Sequence, residues 1–298
     1  MESLQVSLID LVIALSDVMD MISPALNGHQ KRVAYISNVI GNEMGLSDER
    51  LHDLFVAALL HDCGGITLKE RIEALNFEIN NPYLHSEIGY RLLKDYEPLK
   101  KPAEFIRFHH ASWNQNYSEK MGKDYDIQIE SYILCLSDRV DVLIDKQRDI
   151  IGQSKNIKNR IYSEWNKKFM PEVVEAFMKV SKPVCFWLDI TNIDGGWWKY
   201  KDYIYDTSLN ERNIFAVTEL IKKIIDFRSR FTATHSSGVA LVAEQIGKYA
   251  GLNKKEQTEL RLAGYLHDLG KLAVPTEILE KPDKLTEKET NIVKAHTY

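Results

Sequence analysis

Apolar residues along this chain recur three and four positions apart, and runs that alternate apolar with polar are scarce. That period lines one stripe of a helix, so the chain reads as all-α nearly throughout. Near the start, Leu8, Leu11, Val12, Leu15, Val18, Met19 and Ile22 form such a stripe, interrupted by Asp10, Asp17 and Asp20. Those carboxylates, with Glu2 where a signal would be basic, predict a buried amphipathic helix over 3–22 and no membrane anchor. Further helices are predicted over 29–44, 50–63, 67–76, 85–96 and 102–110, then a long one over 128–149, and more helix over 156–180 and 211–229. Gly45-Leu46-Ser47 separates two of them, with Ser47 placed to cap the second. Residues 112–127 read as a loop suited to cover a site, and 183–210 as an irregular connector.

The helical text is written twice. His29, His61 and Asp62 return as His235, His267 and Asp268, each displaced by 206 positions. Val33-Ala34 maps onto Val239-Ala240, Gly45-Leu46 onto Gly251-Leu252, Ala57 onto Ala263 and Gly64 onto Gly270. A repeat of this kind sets the domain plan: a first domain over 1–182, a connector over 183–210 and a second domain over 211–298. The second copy has neither the double histidine nor the aspartate that the first places after His85, and the reading favours a chain cut at that point.

Length and composition agree with two cores. A chain of 298 residues with 44% apolar and 27% charged residues is that of a globular protein. Its net charge of −5 gives no basic excess for binding duplex nucleic acid. The three cysteines, Cys63, Cys135 and Cys185, have no CxxC spacing, and the simplest reading is reduced thiols in a cytoplasmic protein.

The second copy reads Leu266-His267-Asp268-Leu269-Gly270-Lys271, then Val274-Pro275, Ile278-Leu279 and Lys281-Pro282-Asp283-Lys284-Leu285-Thr286. The first opens on Asn-Gly-His29-Gln-Lys-Arg-Val. It continues through Ala58-Leu59-Leu60-His61-Asp62, His85, His109-His110 and Ser137-Asp138-Arg-Val-Asp141. Together these resemble the HD-GYP family, the cyclic-di-GMP phosphodiesterase branch of the metal-dependent HD phosphohydrolases. The resemblance implies an HD-domain helical bundle, followed by the N-terminal part of a second HD-GYP-like domain.

It also implies the site. Imidazoles and carboxylates without thiolate suit iron or manganese, with zinc, nickel and cobalt as alternatives. His29, His61, Asp62, His85, His109, His110 and Asp138 are too many ligands for one ion but suit two sharing a carboxylate. By the family pattern Asp62 bridges, His29, His61 and Asp138 hold one ion, and His85, His109 and His110 hold the other. His235, His267, Asp268 and His296 make a partial second site, expected to hold metal weakly. The function implied is hydrolysis of a phosphoester, such as a cyclic dinucleotide, by a hydroxide activated between two ions. Asp62 and Lys271 are the candidate catalytic residues, since a lysine three places after the HD aspartate often assists the phosphate. An alternative is a degenerate HD domain that senses a ligand or pairs subunits. Exposed apolar faces on the second copy are expected to promote a homodimer.

Three departures bear on that choice. The first copy has Gly65 in the lysine's place. After His110 it reads Ala111-Ser112-Trp113-Asn114-Gln115, without the acidic residue and Gly-Tyr-Pro loop of the family. Ala25 and Phe231 stand where a third metal would need a glutamate. Among neighbours, Asp141 is read as a local cap or a partner of Arg139, Arg32 as half of a structural ion pair, and Cys63 as a core residue.

Overall fold

A computed structural model describes residues 6–21, 23, 25–65, 72–77, 83–114, 126–192, 208–209, 211–228 and 235–297. The fold is all-α. Its only sheet among these residues is an antiparallel pair, Val6–Ser7 (β1) with Ser208–Leu209 (β2).

The predicted opening helix is α1, Leu8–Asp20, capped by the Ser7 side chain and buried along Leu8, Ile9, Val12, Leu15 and Met19. Then follow α2 (His29–Glu43), α3 (Asp48–Leu60), α4 (Tyr83–Leu93), α5 (Lys100–Arg107) and α6 (Ile129–Val142). Ser47 Oγ accepts from the Arg50 amide at 3.5 Å, capping α3 as its sequence position predicts. Between α2 and α3, Gly45 takes φ +75°, and Leu46 N–H closes on the Gly41 carbonyl at 3.0 Å. Gly251 repeats the arrangement at φ +79°, with Leu252 bonded to Gly247 at 3.0 Å. The repeat is therefore one of backbone as well as of text.

Two helical readings need correction. The long helix over 128–149 stops at Val142, and α7 (Ile150–Tyr162) begins afresh. Nothing apolar lies between Ile144 and Ile150 to hold a continuous stripe. Instead Asp149 accepts from Gly152 N–H at 2.6 Å, and Gln153 bonds the carbonyls of Asp145, Arg148 and Asp149. After α8 (Pro171–Val180), the connector is not irregular at its start, because Val184–Thr191 forms α9. That short helix buries Phe186, Trp187 and Ile190 against the first domain, with Tyr35 and Phe186 rings 5.8 Å apart. Residues 193–207 of the connector, 115–125 of the loop, and much of the predicted 67–76 helix lie outside the described residues.

The second copy contributes α10 (Glu211–Arg228), α11 (His235–Tyr249), α12 (Lys254–Leu266), a 3-10 turn over Leu269–Ala273, α13 (Thr276–Leu279) and α14 (Glu287–Lys294). Each opening helix reaches across to the other copy. α1 packs on the Leu269–Ala273 turn, and α10 packs on α4 as well as on α12. Ile214, Val217, Leu220, Ile221, Ile224 and Leu272 therefore belong to one buried core with Leu8, Val12 and Leu54.

Candidate metal centre

Helix ends deliver the chemistry. His29 is the first residue of α2, His61 and Asp62 follow the last turn of α3, and His109 and His110 follow α5. His85 lies in the first turn of α4, and Asp138 projects from α6. Placing α4 beside the His61-Asp62 turn requires a glycine. A Cβ on Gly64 would sit 2.1 Å from the His85 carbonyl and 2.5 Å from the Gly89 nitrogen. Gly270 meets the His296 carbonyl in the same way, at 1.9 Å. His296 thus stands to the second copy as His85 does to the first, five positions out of register.

All seven predicted side chains of the first copy converge, and all are buried. Asp62 faces two ways: Oδ2 lies 3.7 Å from both His29 Nε2 and His61 Nε2, while Oδ1 lies 3.5 Å from His85 Nε2. Asp138 Oδ1 is 3.6 Å from His29 Nε2 and 4.0 Å from His61 Nε2. On the other side, His85 Nε2 is 3.3 Å from His109 Nε2 and 2.8 Å from His110 Nε2. Ligand atoms within reach of a single ion group as His85, His109 and His110, as His29, His61 and Asp62, and as His61, His109 and Asp138. His109 therefore stands nearer to the Asp138 side than a strict partition of the ligands implies.

The electrostatics fit cations. Burial alone would raise the Asp62 carboxyl, but the fields of His61, His85, His29 and His109 outweigh it and hold it well below the usual carboxylate range. Burial pushes His109 and His110 far down, with their neighbouring imidazoles adding to it, and burial lowers His85 despite Asp62. Those three rings are neutral near pH 7 and offer lone pairs with no proton to displace. His61 Nδ1 donates to the Ala58 carbonyl at 2.8 Å, which leaves Nε2 bare, buried and without a hydrogen-bond partner. A buried orphan nitrogen facing two carboxylates is what a divalent ion would satisfy, so the residues present fit two such ions.

Two neighbours were misread from sequence. Asp141 does not pair with Arg139. It accepts from His29 Nδ1 at 2.7 Å and from Arg32, which confirms Arg32 as half of an ion pair. Arg139 instead clamps Asp138 (Nη2 to Oδ2, 2.5 Å) and donates to the Ala74 carbonyl at 2.9 Å. The available signal was spacing, since Asp138 and Asp141 lie one turn apart on the same face of α6. Cys63 is a buried core residue, as read.

The second cluster is built alike and stays open. The His235 and His267 rings are 5.3 Å apart at 62°, against 5.2 Å and 60° for His29 and His61. Asp268 Oδ2 lies 3.2 Å from His267 Nε2, and Oδ1 lies 3.8 Å from His296 Nε2. Lys271 Nζ is bonded to Asp268 Oδ2 at 2.7 Å, while His235 and His267 are exposed.

Known proteins match this arrangement. The HD domain family matches residues 27–143, and a second HD domain family matches residues 219–298. A 3′3′-cGAMP-specific phosphodiesterase of Vibrio cholerae is 29% identical over 90% of this chain, which spans 64% of that relative. Another from the same organism is 26% identical over 96% of this chain and 73% of its own length. A cyclic di-GMP phosphodiesterase of Thermotoga maritima is 30% identical over 57% of this chain and 48% of its own length. A crystal structure of a cyclic GMP-AMP-specific phosphodiesterase of V. cholerae superposes with a TM-score of 0.73 at 24% identity, over 98% of this chain and 77% of that one. At that identity the likeness speaks for the fold. Among the described residues, no helix is long and apolar enough to cross a membrane.

Proposed function

This chain belongs to the HD family, and we propose that its first domain is a metal-dependent phosphodiesterase acting on cyclic dinucleotides, with 3′3′-cGAMP preferred over cyclic-di-GMP. The observation that carries the reading is the two-faced Asp62, one oxygen toward His29 and His61 and the other toward His85. The names of the two V. cholerae relatives support cGAMP. The absence of the lysine at Gly65 and of the Gly-Tyr-Pro loop after His110 weighs against cyclic-di-GMP.

Bound to the seven ligands, two divalent ions, iron or manganese by preference, would supply Lewis-acid charge for the phosphodiester and a nucleophile from water near neutral pH. The chain's own part is to hold that geometry. Asp62 stays ionised at neutral pH and joins the two histidine sets. Arg139 fixes the Asp138 carboxylate by a bond to Oδ2, leaving Oδ1 turned to the cluster. The second domain is proposed as a weaker site, in which Lys271 places a cation beside Asp268 where a phosphate oxygen would meet it.

The test is turnover by the manganese- or iron-loaded chain of 3′3′-cGAMP, cyclic-di-GMP and a chromogenic phosphodiester. The expected order is cGAMP first and cyclic-di-GMP weakest. No turnover of any of the three, with two ions bound, would favour the ligand-sensing alternative.

A further inference from the structure

His29 differs from four of the other ligand-type histidines in how its second ring nitrogen is held. His61, His109, His267 and His296 come at the end of a helical turn, and each ring Nδ1 donates to the carbonyl three residues back: Ala58, Ile106, Gly264 and Val293. His29 comes at the start of its helix. The carbonyl three residues back, that of Leu26, is taken by the backbone N–H of His29 itself at 2.8 Å. The ring acceptor must therefore come from another element, and α6 supplies a carboxylate: Asp141 Oδ2, at 2.7 Å.

Asp141 is buried, and Arg32 offsets its charge. Arg32 Nε donates to Oδ1 and Nη2 donates to Oδ2 at 3.1 Å, while Nη1 reaches the Asn27 carbonyl at 2.9 Å. The clamp ties the turn before α2 to α6. The second copy has no such device among its described residues, since Gly238 stands in Arg32's place and His235 is exposed.

We propose that Asp141, clamped by Arg32, is a positioning residue that fixes His29 with its proton on Nδ1 and Nε2 bare toward the cluster, and thereby makes the His29–His61–Asp138 half the tighter of two ion positions. The inference rests on the metal-centre reading and deepens it. A carboxylate acceptor strengthens an imidazole ligand more than a backbone carbonyl does. The same half also takes a carboxylate oxygen from each of Asp62 and Asp138, whereas the His85–His109–His110 half meets Oδ1 of Asp62 and, at 4.0 Å from His110 Nδ1, the Asp138 Oδ2 that Arg139 already holds. Both effects act in one direction.

The test uses the full chain and Asp141→Asn, which keeps the side chain's shape. An amide has one accepting atom, so it cannot satisfy His29 and both Arg32 donors together. In the metal-free native chain at alkaline pH, where the His29 ring keeps a single proton, ¹⁵N NMR of the histidine rings should show that proton on Nδ1, and the variant should lose that preference. Manganese titration, with free ion counted by electron paramagnetic resonance, should show two ions on the native chain. The tighter ion should weaken by ~10–100-fold in Asp141→Asn while the looser is unchanged. His110→Ala should do the reverse, losing the looser ion alone. If Asp141→Asn does not fold, Arg32→Met leaves the carboxylate in place and should keep the Nδ1 proton with a smaller loss of affinity. A singly protonated native His29 with its proton on Nε2 instead of Nδ1, or an unchanged titration in the folded Asp141→Asn chain, would overturn the proposal. Failure of the phosphodiesterase reading is separate: a chain that binds both ions and cleaves no phosphodiester leaves the ring and titration results standing.

Discussion

Helices α2 and α11 are the same element in two settings. Tyr35, Ile36 and Ile40 of α2 are 4%, 0% and 0% exposed, but their counterparts Leu241, Val242 and Ile246 are 50%, 58% and 62% exposed. The apolar pattern is nearly the same in both, so the pattern alone does not decide what is buried. In the first copy α6, α8 and α9, all encoded later in the chain, close over α2. The first of them, α6, also brings Asp138 and Asp141. Covering the apolar face and completing the ligand set are one event in the first copy, and neither has a counterpart among the described residues of 211–298.

The largest test of that contrast is the HD aspartate. Asp62→Ala should empty both ion positions and lower turnover by ~10²-fold or more, whereas Asp268→Ala should leave most of the bound metal in place. Elemental analysis beside a turnover assay reads both, and full metal retention in Asp62→Ala would refute the bridging role. Next come the paired isoleucines. Ile40→Ala should cost about 2–5 kcal/mol in denaturant unfolding because it opens a cavity, and Ile246→Ala less than ~0.5 kcal/mol because its site is already in solvent. Equal costs would mean that α11 is covered in solution, as by a second copy.

At Gly64 and Gly270 the copies should instead respond alike. Either change to alanine forces the added carbon onto a carbonyl of the next ligand segment, a clash worth about 1–3 kcal/mol. Gly64→Ala should also weaken metal binding by displacing His85. A further small effect is a matter of pH. Asp53 is pushed up to about 6, chiefly by burial and then by Glu49 and Glu130, against the pull of Lys101. The folded state thus holds this proton more tightly than the unfolded chain, so stability falls as pH rises from about 4 through 6. Half-exposed and screened, the site should contribute no more than ~1 kcal/mol. Asp53→Asn should flatten that slope in pH-dependent melts.

Much of this was legible because it is local. Helical period and the Ser47 cap are each set within a few residues, the His-Asp repeat shows when the chain is laid on itself at a fixed displacement, and the two short glycine contacts at Gly64 and Gly270 sit inside that repeat. What escaped the sequence was non-local. Asp141 looks like any surface carboxylate until α6 is laid against the start of α2, and Arg139 looks like its neighbour's partner until the carbonyl of Ala74 appears beside it. The break at Val142 was missed because a polar run can remain helical, and only the cap at Asp149 and the bonds of Gln153 decide otherwise. The helix over Val184–Thr191 carried the right apolar spacing in a segment too short to stand out.

The exchange of opening helices has a consequence for synthesis on the ribosome. α4 carries His85, and part of its cover is α10, which is translated only after the whole of the first copy has emerged. Domains generally fold as units, N-terminal first, during synthesis at roughly 5–20 residues per second. Here the nascent first copy waits several seconds for Ile214, Val217 and Ile221, with one flank of the His85 helix uncovered meanwhile. The full cover of the His85 helix is accordingly in place only after Glu211–Arg228 has left the exit tunnel.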